Sequence, residues 1–398
     1  MTTTAGLNID NASESIPLLP NHAQNARIPS KLQRRVTPLH CIFAFTMMLG
    51  DYLQPAALTQ VMENTICHDY YATHPPPSGA ITLTPTTDPC KTQAVQKELA
   101  LIRGYQQLVP LFAALACTVP YSLLAERVGR KRVLILSGAG VCASLTWVVA
   151  VCFFRFVGLR WVWISGVFLF IGGGDAVTSS LVHIMVTDVT AAEDRAQVFL
   201  FLHAADVFAG FCGPALSAVL MGRGYIWIVL VLALVVLFGG TFLVTAFIPE
   251  TLGFRDSRSP TREASLASQP YIPSEPPAAK TTSSFWGRIT DTLALPLHIL
   301  TSNRQALLLL AVFAPQTAAR DLFTMIGLQY SAAKFALPYS RGNVLLSLFQ
   351  GTQGLTVLAF LPLVTKYIAT PRGWTPWVRD RRYAILSITL TATASHRG

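Results

Sequence analysis

Repetition constrains this chain most: from residue 38 onward, apolar stretches of helix length follow one another, separated by polar connections. Eight are read, over 38–62, 102–124, 133–154, 161–187, 197–220, 225–248, 305–329 and 342–366, and a ninth begins near Tyr383. About 20 apolar residues are enough to cross the hydrocarbon core of a bilayer as a helix. In lipid, backbone N–H and C=O groups must be bonded internally, so such stretches in series demand a helical bundle. Composition agrees: 52% of the 398 residues are hydrophobic and 13% charged, against about 25% charged in soluble domains.

The net charge is +10. A nucleic-acid partner would need the basic residues gathered on one soluble face. Here they lie mostly in the connections between spans, so no such partner is expected. With the N-terminus placed in the cytosol, the connections on that side carry twenty Lys and Arg residues. The other side carries seven: Lys91, Lys97, Arg155, Arg160, Arg223, Lys334 and Arg341. The positive-inside bias predicts that orientation.

The expected organisation has four parts. Residues 1–37 lack the apolar core of a signal peptide and read as a disordered cytosolic segment. Within it, Glu14-Ser15-Ile16-Pro17-Leu18-Leu19 has the acidic-dileucine form of vacuolar sorting signals. A six-helix bundle spans 38–248. Residues 249–304, rich in Ser, Pro and Thr, read as a cytosolic linker. Residues 305–398 supply two helices and a partial third of a second bundle. Residues 61–100, with Pro75-Pro76-Pro77, are expected to form a long external loop.

The seven cysteines show neither a CxxC pair nor zinc-like spacing, so no metal is expected. Cys41, Cys117, Cys142, Cys152 and Cys212 lie in or beside spans and read as small core thiols. Cys67 and Cys90 share the predicted external loop, where a disulfide and two free thiols are both compatible with the sequence. Gly172-Gly173-Gly174 lacks the lysine and the preceding strand of a phosphate loop. No catalytic constellation stands near an interface. Neither a cofactor nor an enzymatic activity is expected.

Between the second and third spans stands Ser122-Leu123-Leu124-Ala125-Glu126-Arg127-Val128-Gly129-Arg130-Lys131. It resembles the loop joining helices two and three in the major facilitator superfamily, with the pattern Gly-x-x-x-Asp-Arg-x-Gly-Arg-Arg/Lys. An acidic residue at a helix end engages helix dipoles and guanidinium groups, which gives Glu126 and Arg127 their expected roles. Gly129 allows the reversal, and Arg130 and Lys131 hold the loop on the cytosolic side. Ser122 stands for the first glycine of the pattern and Glu126 for the aspartate. Pro249-Glu250-Thr251 after the sixth span resembles the family's Pro-Glu-Ser/Thr signature. Asp188 and Arg195 match its habit of an acid ending helix four and an arginine starting helix five. Glu63 to Tyr71 and Gln96 to Ala100 resemble fungal members near the proton-coupled folate transporter branch. A second loop motif is missing where Lys366-Tyr367-Ile368 leads to Arg379-Asp380-Arg381-Arg382. Span four has no arginine, unlike proton-driven drug exporters of the family.

The resemblance implies an all-α membrane protein of major facilitator type, with a six-helix N-terminal half and an incomplete C-terminal half. It implies a transporter of a small organic solute working by alternating access in the plasma or vacuolar membrane, driven by protons or another solute. Intramembrane ionisable residues are costly and mark function. Asp51, Asp175 and Arg320 are the candidates for proton coupling or substrate charge, with neutralising pairs inside the bundle as the alternative. Asp206 and His183 read as structural, and Asp321 can neutralise Arg320 only through other helices, since adjacent residues point in different directions. Full members have twelve helices, so a truncated, non-transporting membrane protein is the rival expectation. The sequence does not specify an oligomeric state.

Overall fold

The computed structural model describes residues 30–74, 89–190 and 194–251 and, between 307 and 389, mainly 326–369. Helices α1 (Ser30–Thr73), α2 (Gln93–Val128) and α3 (Arg130–Phe154) come first. The fourth crossing is split. A 3-10 turn (Leu159–Ile164) leads into the short α4 (Ser165–Phe168), and after a turn at 169–173 the chain resumes as α5 (Gly174–Val189). Then come α6 (Arg195–Gly222) and α7 (Ile226–Phe238), which passes through a π-helical turn (Gly239–Val244) into α8 (Thr245–Phe247). Beyond a helix over 326–335, α9 (Tyr339–Leu355) continues through π-helical turns that flank α10 (Leu361–Val364).

Among the described residues, six helices are long and apolar enough to cross a membrane: Arg35–Thr73, Gln93–Val128, Arg130–Phe154, Gln197–Gly222, Ile226–Phe247 and Tyr339–Ile368. The expected single helix over 161–187 is corrected to the broken α4–α5 pair. Gly172, Gly173 and Gly174 all have positive φ (85°, 85° and 62°), which a continuous α-helix does not allow. Side chains of neighbouring helices bond carbonyls on either side of the break. The Tyr121 hydroxyl donates to Phe170 O at 3.0 Å, and the Ser137 hydroxyl donates to Gly174 O at 2.7 Å. Broken helices survive in lipid only with such partners.

Two boundaries also move. The helix begins at Ser30, inside the segment expected to be disordered, and α1 and α2 together take up most of the expected 61–100 loop. Hydropathy marks only the part of a helix that meets lipid. It does not see turns that continue past the membrane when no breaker follows. Most of the predicted seventh span, the linker, and the ninth segment lie outside the described residues.

Helix α1 is the axis of the first bundle and packs on α2, α5, α6 and α7. Its Phe43, Met47, Leu53 and Met62 are buried, as are Leu134, Leu181, Met185, Leu230 and Leu237 from its neighbours. Van der Waals packing, with little hydrophobic drive, holds helices together in a membrane, so small residues at crossings matter. A Cβ on Gly213 of α6 would lie 2.7 Å from Tyr52 Cβ of α1. On α7, Leu230 and Leu237 face inward while Val231, Val235 and Phe238 are exposed. A helix apolar all round suits one face on protein and the other on lipid. Helix α9 packs along α6.

Candidate functional site

The loop motif lies at one end of the bundle. Gly129 has φ +112° and is the N-cap of α3. A Cβ there would stand 2.7 Å from Glu250 Oε2, so the missing side chain makes room for that carboxylate. Glu250 Oε1 accepts from Arg130 N at 3.0 Å and from Thr251 N at 3.1 Å, and Oε2 accepts from Lys131 N at 3.2 Å. A carboxylate on the unbonded N–H groups of a helix start gains from both the hydrogen bonds and the dipole. The Lys131 ammonium reaches back to Ala246 O at 2.8 Å.

Arg130 is buried and forms an ion pair with Asp188 in the last turn of α5. Thr251 Oγ1 donates to the same Asp188 at 3.5 Å. The cluster therefore gathers the α2–α3 loop, the end of α5 and the segment after α8. Three motifs read separately in the sequence meet here. The acid on the α3 dipole is Glu250, whereas the sequence assigned that role to Glu126. Glu126 and Arg127 lie on the exposed face of the last turn of α2. Arg195 opens α6 as expected and has a buried Nε.

Asp51 and Asp175 stand on packed crossings, α1 and α5. Asp51 lies in the middle of α1 and accepts from Gln54 Nε2 at 3.3 Å. Pro55, one turn on, has no N–H to give the Asp51 carbonyl, so the polar spot is a backbone as well as a side-chain feature. Asp175 occupies the first turn of α5, just past the glycine break. Asp175 is an exposed residue among the described ones. Among the described residues neither carboxylate is in an ion pair. The structure thus places two of the three sequence candidates on neighbouring helices. Arg320, like Asp321, lies outside the described residues.

The other intramembrane polar groups are engaged locally. The Tyr52 hydroxyl donates to Asp206 Oδ1 at 3.3 Å, linking α1 to α6. The His183 ring nitrogen bonds Ser179 O at 2.7 Å within its own helix. Arg103 of α2 was not singled out from the sequence. It is half-buried and donates to Gln106 Oε1 at 3.1 Å, and a lone arginine inside an apolar run was the available signal.

At the opposite end Cys67 and Cys90 form a disulfide with Cα atoms 5.2 Å apart. Arg155 pairs with Asp69 at 2.8 Å and Arg160 with Glu98 at 2.9 Å, tying the α3–α4 connection to α1 and α2. No group of three or more potential metal ligands occurs among the described residues.

A helical bundle that spans a membrane, with a glycine-cation loop locked onto the ends of its fourth and sixth crossings, defines a class of integral membrane protein. The family described as Major Facilitator Superfamily matches residues 42–395, and the chain belongs to it. It is 28% identical over 252 residues to the MFS efflux pump atnC of Emericella nidulans, covering 62% of this chain and 49% of that protein. It is 26% identical over 361 residues to the MFS-type transporter avaK of Aspergillus versicolor, covering 89% of this chain and 68% of that protein. It is also 26% identical over 359 residues to the efflux pump ustT of Aspergillus flavus, covering 88% of this chain and 68% of that protein. The chain thus spans about half to two thirds of the length of these relatives.

Proposed function

We propose that this chain moves a small organic solute across a membrane by alternating access, as a secondary active carrier, and that export is its direction. The observation that carries the reading is a pair of intramembrane carboxylates, Asp51 and Asp175, on the packed crossings α1 and α5, neither of them in an ion pair among the described residues. Ionisable groups at that depth are expensive to keep unless used. Helices broken near the membrane centre also set dipole ends where cargo binds, and Asp175 stands at such a break. A shared proton or a cationic group would relieve the pair's repulsion. The export direction rests on the printed names of two relatives, efflux pumps of Emericella nidulans and Aspergillus flavus.

The orientation we propose puts the loop-motif end in the cytosol. Two features support it: the Lys/Arg bias of the connections, and the disulfide at the opposite end, which suits an oxidising compartment. The domain division into a six-helix bundle, a cytosolic linker and a second bundle belongs to the same proposal.

The test is charge displacement in proteoliposomes on a pH step, which needs no knowledge of the solute. The intact chain is expected to give a transient, and Asp51→Asn and Asp175→Asn to lose most of it while remaining monodisperse. Undiminished transients in both variants would remove these residues from coupling. A non-transporting membrane protein, the rival reading, would give no net solute flux in parallel assays over a panel of organic ions.

A further inference from the structure

The disulfide end holds a charge arrangement that the transport reading does not use. Glu63 of α1 is 2% exposed. Its Oε1 lies 2.5 Å from Lys91 Nζ, and its Oε2 accepts a short hydrogen bond from the Tyr339 hydroxyl. The Lys91 ammonium also stands 4.5 Å from the centroid of the Tyr339 ring. The three residues have different origins. Glu63 and Lys91 both belong to the first bundle. Lys91 directly follows Cys90, whose partner Cys67 lies one helical turn beyond Glu63 on α1. The disulfide therefore holds Lys91 against Glu63 whatever the second bundle does. Tyr339 opens α9 and comes from across the gap.

A second contact crosses at the same end, where Gln329 Nε2 donates to Gln96 O at 3.0 Å and to Gln96 Oε1 at 3.2 Å. Deeper along α9, Asn343 donates to Ser217 Oγ at 2.9 Å and Ser347 to Phe211 O at 2.9 Å. Closure between the bundles thus continues inward from Tyr339.

We propose that Glu63 is the gate residue of this face. Lys91, pinned by the disulfide, is its permanent counter-ion, and the Tyr339 hydroxyl is the partner that leaves and returns. The physical case is an asymmetry. Stripping a buried carboxylate of its only cation leaves an uncompensated charge, which is strongly unfavourable. Removing one hydroxyl donor from a carboxylate that keeps its cation costs far less. A gate that must open and close repeatedly needs the second situation, and the disulfide provides it. This inference rests on the alternating-access reading and its orientation, which makes this face external.

The experiment reads closure directly and needs neither a substrate nor a gradient. Ser347→Cys places a thiol beneath the Tyr339 contact, where the native side chain is 4% exposed. Its reaction with a membrane-impermeant methanethiosulfonate added from the disulfide side is timed. The rate of the chain without that cysteine is subtracted. Adding Tyr339→Phe keeps the ring over Lys91 but removes the hydroxyl. Modification is expected to speed up about tenfold, as for one hydrogen bond to a charged group. Adding Cys67→Ser and Cys90→Ser together is expected to speed it up as well. A monodisperse Tyr339→Phe chain that reacts at the parent rate would overturn the gate, and an unchanged rate in the serine pair would overturn the disulfide's part in it. Since no transport is measured, these outcomes stand apart from the fate of the Asp51–Asp175 proposal.

Discussion

Arg130 and Asp188 show how much one residue depends on what its neighbours leave empty. The pair is buried, Asp188 also takes a hydrogen bond from Thr251, and Glu250 covers the helix start beside it. Removing one partner of a buried pair costs about 3–5 kcal/mol, because the other charge is left uncompensated, whereas replacing both with apolar groups is often neutral. Asp188→Asn should therefore lower the detergent-solubilised melting temperature sharply, and Asp188→Asn with Arg130→Met should recover most of the loss. A double variant as unstable as the single one would show that the charges act independently. Sequence spacing made Gly129, Arg130 and Asp188 legible one by one. It did not show that Glu250, about 120 residues away, would fill the space left by the missing Gly129 side chain. Motif spacing carries no information about which distant carboxylate a fold returns to a helix end. Asp51 and Asp175 were legible for another reason: each is an acid in an apolar run, and that exception survives any arrangement of the helices.

At the scale of the element, the fourth crossing departs most from its sequence pattern. Hydropathy sees an apolar run, and the glycine triplet within it reads equally well as a close-contact surface or as a break. The decision comes from α3. A Cβ on Gly172 would lie 2.4 Å from Ser137 N and 2.5 Å from Ser137 Cα, so the turn at 169–173 presses onto a neighbour's backbone. Gly174 is more open, its nearest contact being Leu169 Cδ2 at 3.4 Å. Alanine in a left-handed conformation costs about 1–2 kcal/mol at either site. Only at Gly172 must backbone also move. Gly172→Ala should thus reduce the yield of monodisperse protein well below that of Gly174→Ala, read by size-exclusion chromatography of matched membranes. Equal yields would mean that the break is not fixed by its contact with α3. The ends of α1 and α2 were illegible for a simpler reason. The last turns of α1 and the first of α2 are polar, and hydropathy assigns polar turns to loops.

At the scale of the whole molecule, crossing order was largely readable, since successive apolar runs need no tertiary detail. The pairing of α9 with α6 was not, because both helices are apolar on several faces and the choice lies in small-residue contacts such as Gly354 against Val207. Sidedness can be checked on intact cells. Cys67 and Cys90 should resist an impermeant maleimide until an impermeant reductant is added outside, and then both should label. Labelling that requires permeabilised cells would reverse the proposed orientation. Helix α1 deserves a last consequence of its length. Its 44 residues at about 1.5 Å each make a rod of about 66 Å, where the hydrocarbon core is about 30 Å thick. Several turns therefore stand clear of the bilayer, on the same helix that carries Asp51 and Glu63. An antibody fragment raised against 68–73 would grip that rod. It would give a small membrane protein the fixed landmark that particle alignment in electron micrographs requires.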